Sequence, residues 1–138
     1  MPRFVLDASA ACSLCFEDED PELSVQVIEA LQHGDALVPA LFLWEVANVL
    51  LGAEKRGRMN RADRVSFLKL LEELGLQIDP VDPGVIWHDV INLAAESKLT
   101  SYDAAYLELA LREGLPLASA DRALNSAATA CGVPLLSN

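Results

Sequence analysis

The sequence predicts an α/β fold built on a parallel sheet with helices on both faces. Three observations predict it. Short apolar runs alternate along the chain with longer segments of helical spacing, the pattern of repeated strand–helix units. Hydrophobic residues make up 52% of the 138 residues and charged residues 22%, which excludes a disordered chain, a collagen-like chain and a charged coiled coil. The mean hydropathy of +0.26 is high, so either both sheet faces are covered or some apolar surface is kept for a partner. The length fits one domain over residues 1–138, large enough to bury a core without disulfides or a structural metal.

The elements follow in order. Phe4-Val5-Leu6 reads as a buried strand that stops at Asp7, and Ala8 to Phe16 as a short helix. Pro21 opens a second helix, carried by Leu23, Val27, Ile28 and Leu31 and ended by Gly34. Ala36-Leu37-Val38 is a strand stopped by Pro39. Leu41 to Lys55 is helical and ends near Gly57. Asn60 caps a helix running to about Leu74, before Gly75. Leu76 to Val81 is a third strand. Pro83 starts a helix through about Ser97, and Ser101 to Glu113 is another, ended by Gly114. Leu115 to Ala118 is a fourth strand, Arg122 to Cys131 a helix, and Val133 to Leu136 a short final strand. Right-handed crossovers place the C-terminal ends of all strands on one edge, where open parallel sheets bind ligands.

Three cysteines, Cys12, Cys15 and Cys131, are too few and odd in number for a secreted disulfide framework, and point to a reducing cytoplasm. The N-terminus imitates a signal peptide, but Asp7 cuts the apolar stretch and Glu17 to Glu22 holds five acids in six residues. The longest apolar run, Ala36 to Trp44, contains Pro39 and is far short of a membrane span. A soluble, cytoplasmic protein with no membrane contact is expected. The formal net charge of −11 excludes nucleic-acid binding by bulk electrostatics, so any such function has to be local or recruit cations.

Four carboxylates fall at the C-terminal edge: Asp7 after the first strand, Glu45 in the first turns of the helix after the second, Asp103 at a helix start, and Asp121 after the fourth strand. Each also has a local reading. Asp7 and Asp121 suit helix N-caps, Thr100-x-x-Asp103 matches a capping box, and Glu45 complements a helix dipole. Together they would repel one another, by about 4 kcal/mol per pair at 4 Å and an effective dielectric of 20, unless protons or a cation neutralise them. Hard oxygen donors without His or Cys suit Mg²⁺ or Mn²⁺, and the chemistry that uses such a site is phosphodiester cleavage.

At these residues the chain resembles the PIN-domain family, in particular the VapC-type toxin ribonucleases. Val5-Leu6-Asp7-Ala8-Ser9 is similar to the family's opening strand. Trp44-Glu45-Val46-Ala47-Asn48 is similar to its helical Glu-x-x-Asn segment. Ser101-Tyr102-Asp103-Ala104-Ala105-Tyr106 resembles the segment with the third acid. Leu117-Ala118-Ser119-Ala120-Asp121-Arg122-Ala123-Leu124 resembles the closing one, with Ser119 where Thr is more usual. The resemblance implies a three-layer fold around a five-stranded parallel sheet, and a Mg²⁺- or Mn²⁺-dependent endoribonuclease cutting RNA through a metal-activated water. It implies that Asp7, Glu45, Asp103 and Asp121 are catalytic and hold or orient metal. It gives Ser9, Asn48 and Ser119 supporting or substrate roles. It also implies homodimers and a small antitoxin partner.

Six of the ten basic residues lie between Lys55 and Lys69. Arg58, Arg61 and Arg64 among them read either as a solvated helix end or as a local phosphate grip guiding RNA. Cys12-x-x-Cys15 reads as buried small hydrophobes, because zinc would need two more ligands and the chain shows no paired spacing for them. His33 suits a helix C-terminus and His88 a structural place beside Trp87. Leu41, Phe42, Leu43 and Trp44 are expected mostly in the core, with part of the segment available to a dimer or antitoxin surface. Three other functions compete: a non-toxin PIN nuclease in RNA maturation or repair, a phosphatase or receiver-like domain with Asp7 as nucleophile or ligand, and a binding module whose acids are all caps. Ser9 stands where the phosphatases want a second Asp, and no Lys follows Lys98 where receivers want one.

Overall fold

A computed structural model describes residues 3–16 and 19–136; Glu17 and Asp18 of the acidic stretch lie outside the described residues. β1 (Arg3–Leu6), β2 (Asp35–Pro39), β3 (Gln77–Asp79) and β4 (Leu117–Ala118) form one parallel sheet in the order β3-β2-β1-β4. The chain steps outward from β1 through β2 to β3, then returns to the other side of β1. Phe4↔Ala36 and Val5↔Leu37 set the register on one flank of β1, and Val5↔Leu117 sets it on the other. The strand order therefore reverses between β1 and β4, and a crevice opens beyond their C-terminal ends.

The helices are α1 (Ala8–Cys12), α2 (Pro21–His33), α3 (Leu41–Lys55), α4 (Arg61–Glu73), α5 (Ile91–Ser97), α6 (Ser101–Glu113) and α7 (Arg122–Ala130). Local chemistry sets most of their ends. Asp20 caps α2 ahead of Pro21, Asn60 and Asp63 close a full capping box on α4, and Gly114 ends α6 in the left-handed region. The core joins Val5 and Leu6 to Val38, Phe42, Leu50, Leu107 and Leu124, each 2% exposed or less. α6 packs on β1 and β2, so its N-terminus returns to the C-terminal edge of the sheet.

The structure corrects several expectations. The sheet has four strands, not five: the run Val133 to Leu136 makes a single parallel bridge, Leu117↔Leu135. Pro134 accepts from Leu117 N–H (2.9 Å) but has no N–H to extend a ladder. The first helix stops at Cys12, where Ser13 Oγ donates back to the Ala10 carbonyl (2.5 Å) and the chain turns, so Cys15 lies outside it. The helical path from Pro83 is π-helical over Val85–Val90 before it tightens into α5. Of the Leu41–Trp44 segment only Phe42 is buried, and Trp44 is 77% exposed. Among the described residues, no helix is long and apolar enough to cross a membrane.

Candidate active site

Asp7 lies where β1 ends and α1 begins, on the β4 side, at the reversal of strand order. Its carboxylate caps α1 by accepting from Ala10 N–H at 2.8 Å. The local reading is thus correct for this residue, and it does not exhaust it. Ser9 Oγ donates to Oδ1 at 2.7 Å, and Ser119 Oγ, from the end of β4, donates to Oδ2 at 2.5 Å. Oδ1 is saturated, while Oδ2 keeps a lone pair. The two hydroxyls are themselves held: Ser9 Oγ accepts from Ala120 N–H and Ser119 Oγ from Asp121 N–H, both at 2.9 Å. Asn125 Nδ2 fixes the Ser119 carbonyl at 2.9 Å, leaving its own Oδ1 buried without a partner. Both serines singled out in the sequence therefore meet at Asp7, and Asn125 was not anticipated.

The other acids gather around the same edge. Asp121 caps α7 through Leu124 N–H (2.9 Å). Asp103 sits in the first turn of α6, where Thr100 Oγ1 accepts its N–H (3.1 Å). Among the described residues no bond returns from the Thr100 N–H to the Asp103 carboxylate, which is left to the site. Glu45, on the second turn of α3, accepts from the Tyr106 hydroxyl at 2.5 Å. Asn48 is exposed on the same helix, one turn on.

The electrostatics tie these groups together. Burial pushes the Asp7 carboxyl up to about 6, and the negative charge of Asp103 adds to it, although all three hydrogen bonds pull the other way. Burial also raises Asp103, helped by repulsion from Asp121 and from Glu45. Asp103 thus feels each of the other three acids. Burial and the bond to Glu45 raise the Tyr106 hydroxyl above its ordinary range. Among the described residues no three of these acids converge into a ready-made ligand set. The donor chemistry still fits a hard divalent cation: the donors are like-charged oxygens, and burial and neighbouring charge raise Asp7 and Asp103.

The basic segment behaves differently. Arg58 pairs with Glu19 and stacks over the Phe16 ring at 4.6 Å, and Arg64 pairs with Glu54. Arg61 opens α4 on the surface. Cys12 is buried and its thiol is pushed up to about 12, chiefly by burial, so it packs as a small hydrophobe. His33 closes α2, as the sequence suggested.

The PIN domain family model matches residues 4–130. A ribonuclease of Pyrobaculum aerophilum, VapC3, is 30% identical over 122 residues, covering 88% of this chain and 92% of its own. The crystal structure of PAE2754 from Pyrobaculum aerophilum superposes with a TM-score of 0.69 at 26% identity, over 91% of this chain and 86% of that one.

Proposed function

The chain belongs to the PIN-domain family, and from that premise we propose that it is a Mg²⁺- or Mn²⁺-dependent endoribonuclease, the toxin of a VapC-type pair. We take residues 1–138 as one nuclease domain working in the cytoplasm. The observation that carries the reading is the arrangement of Asp7: buried, held by three donors, and in electrostatic contact with an Asp103 that feels both Glu45 and Asp121. A fold does not tolerate such a cluster for stability alone.

The roles follow from the donors. Asp7 offers the free lone pair of Oδ2, while Ser9, Ser119 and Ala10 N–H hold its plane fixed. Asp103, Glu45 and Asp121 complete the acidic wall, in part through water. A bound Mg²⁺ or Mn²⁺ supplies positive charge for the phosphate and acidifies a water. Asn48, exposed beside Glu45, is placed to contact substrate. Trp44, Trp87 and Tyr102 are each more than 60% exposed, and such exposed aromatic side chains support the partners of the reading, a second copy of the chain and a small antitoxin.

Calorimetric titration of Mn²⁺ and cleavage of a structured RNA test the reading together. Wild-type protein is expected to bind Mn²⁺ and to cut only with metal present, and Asp103→Asn to lose both. A wild-type protein that binds no Mn²⁺ returns the acids to helix caps and removes the nuclease. The arginines add a separate expectation. With Arg58 and Arg64 engaged by acids, the joint change of Arg58, Arg61 and Arg64 to Ala is expected to weaken RNA binding only about threefold, with the salt slope falling by about one. An unchanged slope excludes the phosphate grip.

A further inference from the structure

Tyr106 is a core residue with a polar end. It is 1% exposed and one of the largest fully buried side chains, and it closes the Ser101–Tyr106 segment with no role yet assigned to it there. It projects from α6, one turn beyond Asp103 on the same helix. Its hydroxyl donates to Glu45 Oε1 on α3 at 2.5 Å, across 61 residues of sequence. The backbone N–H of Ala8, the residue next to Asp7, also acts electrostatically on this hydroxyl. One oxygen atom therefore lies between the three segments that carry Asp7, Glu45 and Asp103. A Phe would fill this place equally well and would avoid burying a hydroxyl.

We propose that Tyr106 is the positioning residue of the acid site: its hydroxyl occupies one lone pair of Glu45 Oε1 and fixes the carboxylate in one orientation, with Oε2 left open to a cation or its water. The inference rests on the nuclease reading and adds a residue to it. A long, half-buried carboxylate still samples several rotamers, and one short bond from a rigid buried ring removes most of that freedom. The ring cannot move to follow Glu45, because it is packed into the core on every side. Outer partners of metal-site carboxylates orient them in this manner.

Tyr106→Phe deletes the one oxygen and keeps the ring. The expected result is a fall of about tenfold in kcat on RNA and about fivefold in Mn²⁺ affinity, with KM and Tm little changed. In a Glu45→Ala background, which has no acceptor for the hydroxyl, the same change is expected to leave Mn²⁺ affinity where it was. Wild-type kcat and Mn²⁺ affinity in Tyr106→Phe overturn the proposal. So do equal losses in both backgrounds, which would mark a merely structural role. Should Tyr106→Phe fail to fold, ultraviolet resonance Raman of wild type against Glu45→Ala reads the hydroxyl directly. A shifted tyrosine doublet supports the bond, and an unchanged one overturns it. Failure of the nuclease reading is seen separately, as wild-type protein that neither binds Mn²⁺ nor cuts RNA.

Discussion

Asp7→Asn is expected to lower kcat by at least about a thousandfold, close to 4 kcal/mol of transition-state stabilisation, and to make the metal-free protein more stable at neutral pH. Both halves come from one carboxylate. The substitution removes the charge a cation would need, yet Asn can still accept from Ala10 N–H and keep the cap on α1. The stability half follows from proton linkage. Burial raises Asp7 from 3.8 to about 6 in the folded protein, so the native state holds its proton more tightly than the unfolded chain. Its contribution to stability is fully present below about pH 4, declines as pH rises toward 6, and is gone above that. With Asp7 only 4% exposed, the shift corresponds to about 3 kcal/mol lost across that window. Asn has no such window. Urea unfolding at pH 4.5 and 7.5, without metal, should show the variant gaining on wild type as pH rises, by about 1–3 kcal/mol once the altered serine bonds are counted. Mn²⁺ should restore the wild type at pH 7.5 and do little at 4.5. Equal pH dependence in the two proteins would mean that Asp7 is not the strained acid.

The acids were legible in the sequence because each sits in a short local pattern at a predictable place. A strand end, a helix start and the crossover rule are enough to bring Asp7, Glu45, Asp103 and Asp121 to one edge. The local cap reading is compatible with the proposed site. Asp7 and Asp121 do cap α1 and α7, and each cap uses only part of its carboxylate's accepting capacity. What stayed hidden is long-range. Tyr106 meets Glu45 across 61 residues and Arg112 meets Asp79 across 33, and no spacing rule links such partners. The Leu41–Trp44 run reads as mostly core, with part left to a partner surface, because it is apolar and follows a strand. The helix buries Phe42, Val46 and Leu50 instead, and leaves Trp44 outside. The fifth strand failed at one residue, Pro134, whose missing N–H a hydropathy pattern does not register.

Arg112→Ala is expected to be the mirror image of Asp7→Asn: a large loss of stability with catalysis left intact. Arg112 grips two carboxylates at once. Its Nη1 and Nη2 form a fork on Asp79 at 3.2 and 2.7 Å, and Nε and Nη2 reach Glu108 at 2.9 and 3.0 Å. Asp79 and Glu108 are each 8% exposed, so removing the guanidinium strands two charges in a poorly hydrated place. Arg112 itself is about a third exposed, which lets water soften the penalty, and the loss is set at the low end for a broken buried pair, about 3 kcal/mol. That corresponds to a fall in Tm on the order of 10 °C for a chain of this size. Lys at this position should recover little, having no planar fork. Neutralising all three, with Asp79→Asn, Glu108→Gln and Arg112→Met, should recover most of the loss, because the cost lies in the stranded charges and not in the absent bonds. The clamp ties the end of β3 to α6 on the far side of β2 from Asp7, and it touches none of the four acids. Well below its Tm, Arg112→Ala should therefore cut RNA at the wild-type rate per folded molecule. A variant that is stable but inactive, or one as stable as wild type, would show that the two functions of α6, holding β3 and presenting Asp103 and Tyr106, are not separable.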